Sequence, residues 1–235
     1  MEETKLDRYG YNVLRLFALT HNYNGWIYSI FKPYVGNCLM EVGCGLGNMT
    51  QYFKETSGRI IGLDISQEFL DHLKIDLPDI ELYNIDITDK KVLSLRDKNI
   101  DTVVCINVLE HIEDDSGALA NIYGVLAGGG RLLLFLPALK GLYGEYDRSV
   151  KHFRRYGKKD IETKLKNQGF QIEKSCFSNF LGLFGWFLNG TALKRKKFPM
   201  LQTILFDKFI PLIAFVEKYI KPPIGMSLII VAKKP

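Results

Sequence analysis

The chain has 235 residues, 47% of them hydrophobic and 24% charged, a globular composition that excludes a disordered or fibrous protein. At this length a fold buries roughly 70–75% of the surface its unfolded chain exposes, so neither metal nor disulfide is needed for folding. A formal net charge of +5, from 31 basic and 26 acidic residues, is too small to argue for nucleic acid.

The first 36 residues are an aromatic-rich leader with Tyr11, Phe17, Tyr23, Trp26 and Phe31, expected as one or two helices capping the domain. A strand is predicted at 37–42, then a glycine-rich turn and a helix at 48–56. A second strand at 59–64 leads to a helix at 66–75 with Ser66 as its N-cap, then a third strand at 80–84. A fourth strand at 101–107 precedes a helix at 116–126 that ends on Gly128, Gly129 and Gly130, and a fifth strand follows at 131–136. A helix at 158–168 between Gly157 and Gly169 leads into a sixth strand at 170–175, and residues 225–232 form one more apolar strand. Strands alternating with helices imply βαβ units, hence an α/β domain with a parallel sheet covered on both faces. The core is then 37–176 with 225–235, and 177–224 is an insertion before the last strand. A connection of that length is usually functional. With strand six parallel to the rest, it starts on the rim where open α/β sheets hold their ligands, so it is expected as a substrate lid.

Cys38, Cys44, Cys105 and Cys176 are far apart, with no CxxC pair. They are expected as small buried residues of a reducing compartment. The polar start of the chain does not resemble a secretory signal, and no apolar run reaches the roughly 20 residues of a membrane span. The expectation is a cytoplasmic protein.

The most informative stretch is Glu41-Val42-Gly43-Cys44-Gly45-Leu46-Gly47-Asn48. A buried strand ends in a glycine turn and opens a helix, but the spacing is GxGxG and not the dinucleotide pattern GxGxxG. Glu41 stands two residues before the first glycine, where a carboxylate would repel a pyrophosphate. S-adenosylmethionine has no phosphate, and its sulfonium and amino group are cationic. Two more acids follow at successive strand ends: Asp64, placed to accept from ribose hydroxyls, and Asp86, placed to accept from the adenine amine. Cys44, Ile65 and Ile87 flank these positions as further cofactor contacts.

Together with Asn107-Val108-Leu109-Glu110-His111-Ile112 and the run at 126–134, these motifs resemble the class I S-adenosylmethionine-dependent methyltransferases over roughly residues 37–136. Asn22-Tyr23-Asn24, the segment 107–115, residues 142–148 and His152-Phe153-Arg154-Arg155-Tyr156 resemble a narrower branch, often joined to or encoded beside glycosyltransferases. The resemblance implies a Rossmann-like seven-stranded, mostly parallel sheet with an antiparallel last strand. It implies S-adenosylmethionine as cofactor and S-adenosylhomocysteine as product. Glu41, Gly43, Gly45 and Gly47 would cradle the methionine part, Asp64 the ribose and Asp86 the adenine, with Asn107 beside the donor methyl.

Methyl transfer from a sulfonium is an in-line displacement, so the enzyme positions a nucleophile and removes its proton. The candidate bases on the rim are His111, Glu110 and His152. Tyr143, Tyr146 and Tyr156 are candidate acceptor contacts, with Arg154 and Arg155 as candidate clamps for a carboxylate or phosphate. A related ExxEH pattern in ubiquinone-pathway O-methyltransferases is associated with a divalent metal. Here Asn107 replaces its first acid, and no metal is expected. The basic run Lys194-Arg195-Lys196-Lys197 lies between aromatic and apolar segments, the composition of an interfacial helix at an anionic membrane. A lid packed on the protein's own core is the preferred alternative to this peripheral contact with the inner membrane face. The expected activity is methyl transfer to an oxygen or nitrogen of a small-molecule, glycan-type or lipid-linked acceptor. A non-catalytic cofactor-binding subunit and an RNA methyltransferase are the alternatives, and no nucleic-acid partner is expected.

Overall fold

The computed structural model describes residues 8–192 and 200–235. Two leader helices, α1 (Arg8–Ala18) and α2 (His21–Phe31), precede β1 (Cys38–Val42) and α3 (Thr50–Phe53). The chain continues through β2 (Arg59–Asp64), α4 (Gln67–Asp76), β3 (Glu81–Asn84), β4 (Ile100–Ile106), α5 (Asp115–Val125) and β5 (Leu126–Pro137). It ends with α6 (Glu145–Ser149), α7 (Lys158–Asn167), β6 (Gln171–Ser178), α8 (Gly182–Trp186), α9 (Met200–Tyr219) and β7 (Ser227–Lys233).

The seven strands form one sheet in the order β3-β2-β1-β4-β5-β7-β6. Six run parallel, and β7 lies antiparallel between β5 and β6. The sheet is therefore the expected Rossmann-like one. The run Cys38–Val42 is buried on both faces, which is why it reads as continuous apolar sequence without alternation. One apolar cluster joins Met40, Val103, Leu132 and Leu134 to α5 and α7; the other joins Leu39, Val104, Leu133 and Phe135 to α2, α3 and α4.

The capping chemistry is local. Ser66 Oγ accepts from Phe69 N at 3.3 Å and Asp114 Oδ1 from Gly117 N at 2.9 Å, so α4 and α5 start where short polar side chains satisfy free amides. The third crossover departs from the helical rhythm, because Lys90–Lys98 is a 3₁₀ stretch whose Val92 and Leu95 are buried against α5.

Helices α8 and α9 lie between β6 and β7, and α8 continues into a π-helical stretch, Phe187–Ala192. α9 packs on the leader through Trp26, Ile210 and Ile213. It also caps α2 from a distance: Asp207 accepts from Tyr23 N at 2.8 Å and from Asn22 N at 3.3 Å, where Thr20 offers no side-chain cap. No helix among the described residues is long and apolar enough to cross a membrane. The run at 194–197 lies outside the described residues.

Candidate functional site: a glycine cradle and an acid–imidazole rim

The site begins where β1 ends. Gly43 N and Cys44 N both donate to Leu63 O, at 2.7 and 3.0 Å, which folds the chain back over β2. Gly43 has φ +69°, and a Cβ there would stand 2.5 Å from Val108, so only glycine fits. Leu14 of α1 lies against Gly45, and Leu14 O accepts from Asn48 Nδ2 at 2.8 Å, so the leader closes one side of the turn.

Two acids are built into this cradle. Asp64 Oδ2 accepts from Gly45 N and Oδ1 from Ser66 N, both at 2.8 Å. A carboxylate has about four lone-pair positions, so each oxygen retains acceptor capacity for a ribose hydroxyl. Burial raises its pKa above the ordinary value and these amide bonds oppose the rise. Glu41 is 4% exposed, and its Oε2 has no partner within the chain. Burial pushes its carboxyl up to about 8, with the charge of Asp64 adding to the rise. An orphaned buried carboxylate behind a glycine turn is a costly arrangement that a cationic ligand would relieve. Cradle and acids together fit the amino-acid part of S-adenosylmethionine.

The other expected cofactor residues divide. Asn107 leaves β4 at φ +51° with its N–H donating to Phe135 O at 2.8 Å, a left-handed position that asparagine tolerates. Ile65 is exposed beside Asp64. Asp86 closes an Asx turn, its Oδ1 accepting from Thr88 N and Oγ1 at 2.8 Å each. Two side chains are corrected. Ile87 turns into the core, and Cys44 packs into the other core cluster with its Sγ beside Gly62.

Beyond β4 and β5 the rim holds a polar cluster. The 3₁₀ turn Leu109–His111 places Glu110 inward, 1% exposed, with neither carboxyl oxygen bonded. Burial pushes its carboxyl up to about 8, the positive charge of Arg155 offsetting only part of that. His152 is brought opposite by Phe153 N, which donates to Glu110 O at 2.8 Å. His152 Nδ1 lies 2.9 Å from Asp147 Oδ1, and its Nε2 lies 3.9 Å from Glu110 Oε1. The His111 ring stands edge-on to it with centroids 4.5 Å apart. Desolvation, then the neighbouring imidazole, lower the His111 pKa, so His111 is neutral near pH 7.

Asp147 organises the cluster. Burial raises its pKa, but hydrogen bonds from His152 and Arg155 outweigh that and hold the carboxyl below its ordinary value. An ionised Asp147 accepts Nδ1–H, leaving Nε2 with its lone pair free for a proton. Arg155 Nε donates to the same Oδ1 at 2.9 Å, and its guanidinium stacks 3.8 Å above the Trp186 ring. The ligating atoms of Glu110, His111 and His152 lie within 4.8 Å of one another, a donor set that could also hold a divalent cation. The sequence places all three on one rim, and the fold brings their ligating atoms together.

The expected acceptor contacts are mostly committed to the protein. Tyr156 is 3% exposed and donates between Leu109 O and Asp115 Oδ2, so it is a core residue and not a pocket wall. Arg154 pairs with Asp115 at 2.8 Å and donates to Glu113 O, while Arg155 is buried on Asp147. Both guanidinium groups thus serve internal acids, and neither forms the expected clamp. Tyr143 donates to His152 O at 2.7 Å, and Tyr146 packs edge-on to Trp186 with centroids 5.2 Å apart. Trp186 and Leu14 escaped the sequence reading, because each reaches the site from outside the strand-end rhythm.

The two raised carboxyls make a pH prediction. An acid whose pKa is higher folded than unfolded adds stability that is fully present below the unfolded value, near 4.5, and lost as pH rises through about 8. Thermal unfolding of the free protein should therefore occur at lower temperature at pH 8 than at pH 5. Glu110→Gln should flatten that slope, and an unchanged slope would mean that Glu110 is not the buried acid responsible.

Residues 40–134 match the family model of a methyltransferase domain. A probable S-adenosylmethionine-dependent methyltransferase of Mycolicibacterium smegmatis is 26% identical over 151 residues, covering 63% of this chain and 56% of that protein. A ubiquinone biosynthesis O-methyltransferase of Coxiella burnetii is 26% identical over 98 residues, covering 41% of this chain and 42% of that protein. The chain thus spans about half the length of these curated relatives. In fold, it superposes on a solved S-adenosylmethionine-dependent methyltransferase of Thermotoga maritima with a TM-score of 0.65, 17% identity and 97% of each chain covered. Sheet order, glycine turn and domain match agree: residues 40–134 are a methyltransferase domain, on the fold shared by solved S-adenosylmethionine-dependent methyltransferases.

Proposed function

We propose that this protein transfers the methyl group of S-adenosylmethionine to an oxygen or nitrogen of a small-molecule, glycan-type or lipid-linked acceptor. The Asp147–His152 pair carries this reading. It is an oriented imidazole with a free Nε2, held on the rim next to the glycine turn that Val108 abuts. The bound cofactor supplies a methyl on a sulfonium, an electrophile that needs no further activation. Glu41 and Asp64 hold its amino-acid and ribose parts. His152 Nε2 would take the proton of an acceptor hydroxyl or ammonium as the nucleophile bonds the methyl carbon and the carbon–sulfur bond breaks, S-adenosylhomocysteine being the leaving group, and Asp147 would stabilise the imidazolium that results. Glu110, neutral near pH 7, offers a proton donor 3.9 Å from that nitrogen and can orient the acceptor. The relative from Coxiella burnetii is named as an O-methyltransferase, which supports oxygen as the acceptor atom. Helices α8 and α9, beginning on the same rim, serve as the lid, with Trp186 as their anchor on Arg155.

The test uses methyl-labelled S-adenosylmethionine with extract of the source cells. Label should move to an acceptor fraction with the natural protein and not with Asp64→Ala. Cofactor binding without any transfer would favour a non-catalytic binding subunit. By calorimetry Asp64→Ala should weaken cofactor affinity roughly 10–150-fold, because a charged acceptor is lost. The amides of Gly45 and Ser66 also lose their partner. Unchanged affinity would remove Asp64 from the ribose site.

A further inference from the structure

Helix α9 is apolar on both sides. Its inward side meets Trp26 through Ile210 and Ile213. Its outward side carries Leu201, Leu205, Phe209, Leu212, Val216 and Tyr219, all exposed, with Leu201 at 80% and Tyr219 at 69%. Steps of three and four residues put these on one continuous stripe along the helix. In the α8 region, whose entry α9 holds through Glu217 on the amides of Asn179 and Phe180, Phe184, Phe187 and Leu188 are also exposed. A run of exposed apolar side chains on this scale marks an interaction surface.

Charge identifies the occupant. Residues 179–224 hold seven Lys and Arg against two acids, Asp207 and Glu217, which equals the formal net charge of +5 of the entire chain. The remainder of the protein is balanced. Both acids are turned inward, Asp207 onto the amides of Asn22 and Tyr23 and Glu217 onto those of Asn179 and Phe180. The exposed ionic groups of α9 and its exit are therefore Lys208, Lys218 and Lys221. A second copy presenting the same positive face would be repelled. No described helix can span a bilayer, so a flat apolar stripe with lysines at its margins fits the plane of an interface.

We infer that the outer face of α8 and α9 docks on an anionic lipid bilayer. The inference stands on this face alone and holds whatever the acceptor is. One consequence does rest on the methyl-transfer reading. Trp186 ties this face to Arg155 and Tyr146, so docking sets the Asp147–His152 rim beside the membrane and suits an amphiphilic acceptor.

Sedimentation of the full chain with phosphatidylcholine vesicles, with and without phosphatidylglycerol, tests the docking. Binding to the anionic vesicles should exceed that to neutral ones by about tenfold or more and fall as salt is added. Leu205→Glu with Leu212→Glu should lower it by about tenfold or more while cofactor affinity, measured by calorimetry, stays at the natural value. Should that pair disturb folding, Lys208→Gln with Lys218→Gln removes charge while retaining most of the side-chain length and should lower anionic binding about tenfold. The inference is overturned if the natural protein ignores anionic vesicles. It is equally overturned if the natural protein is a dimer that the Leu205→Glu and Leu212→Glu changes dissociate. Failure of docking with methyl transfer intact would leave the activity untouched, and the reverse outcome would leave the docking face standing.

Discussion

His152→Ala should lower turnover by roughly 10²–10⁴-fold, the range of a positioned proton acceptor, while cofactor affinity stays within about twofold. The split follows from the geometry. His152 bonds to Asp147 and faces Glu110 and His111, whereas the glycine cradle is held by Leu63, Asp64 and Leu14. Asp147→Asn is the sharper companion, because it retains shape while losing the charge that selects the Nδ1–H tautomer. Its turnover should fall. A His152→Ala variant with full turnover on an identified acceptor would shift the base to His111, the neutral imidazole beside it.

Asp147→Ala should also cost about 3–5 kcal/mol of stability, the cost of leaving a buried charge without its partner. The Arg155 side chain is 1% exposed and Asp147 0%, so water cannot substitute for the lost carboxylate. Arg155 keeps Ala138 O and the face of Trp186, and Gly144 N loses its acceptor as well. Urea unfolding gives the measurement. Replacing both partners with apolar residues, Asp147→Leu with Arg155→Met, should recover most of the loss, since it removes the stranded charge. A single variant within about 1 kcal/mol of the natural protein would show that Arg155 finds another partner.

How far the sequence reached can be followed residue by residue. The predicted second strand, 59–64, coincides with β2, because apolar residues flanked by turn signals have few alternatives. The fifth and sixth strands run longer than predicted, Leu126–Pro137 and Gln171–Ser178. Pairing with β7 extends the sixth strand through Cys176–Ser178 and the fifth to Pro137, while Leu126 at the start of the fifth pairs with Ile100 of β4, and a local pattern has no access to such distant partners. The glycine turn and its acids were legible because close backbone approach and left-handed dihedrals admit few residue types. The roles of Arg154, Arg155 and Tyr156 were not, since a guanidinium or phenol that binds a ligand and one that pairs internally have the same sequence.

From composition, periodicity and the Glu41–Asn48 turn, the sequence alone determined an α/β domain with a glycine-rich turn at the end of β1. Those features are local, set by dihedral preference and burial period. Only the tertiary structure decided that Asp147 pairs with both His152 and Arg155, that Glu110 is buried without a partner, and that Leu14 closes the cradle. It also decided that Asp207 and Glu217 turn inward, which leaves the outer face of α9 apolar and basic. Each of these depends on which groups lose their water together, and residues distant in the chain settle that only when they pack.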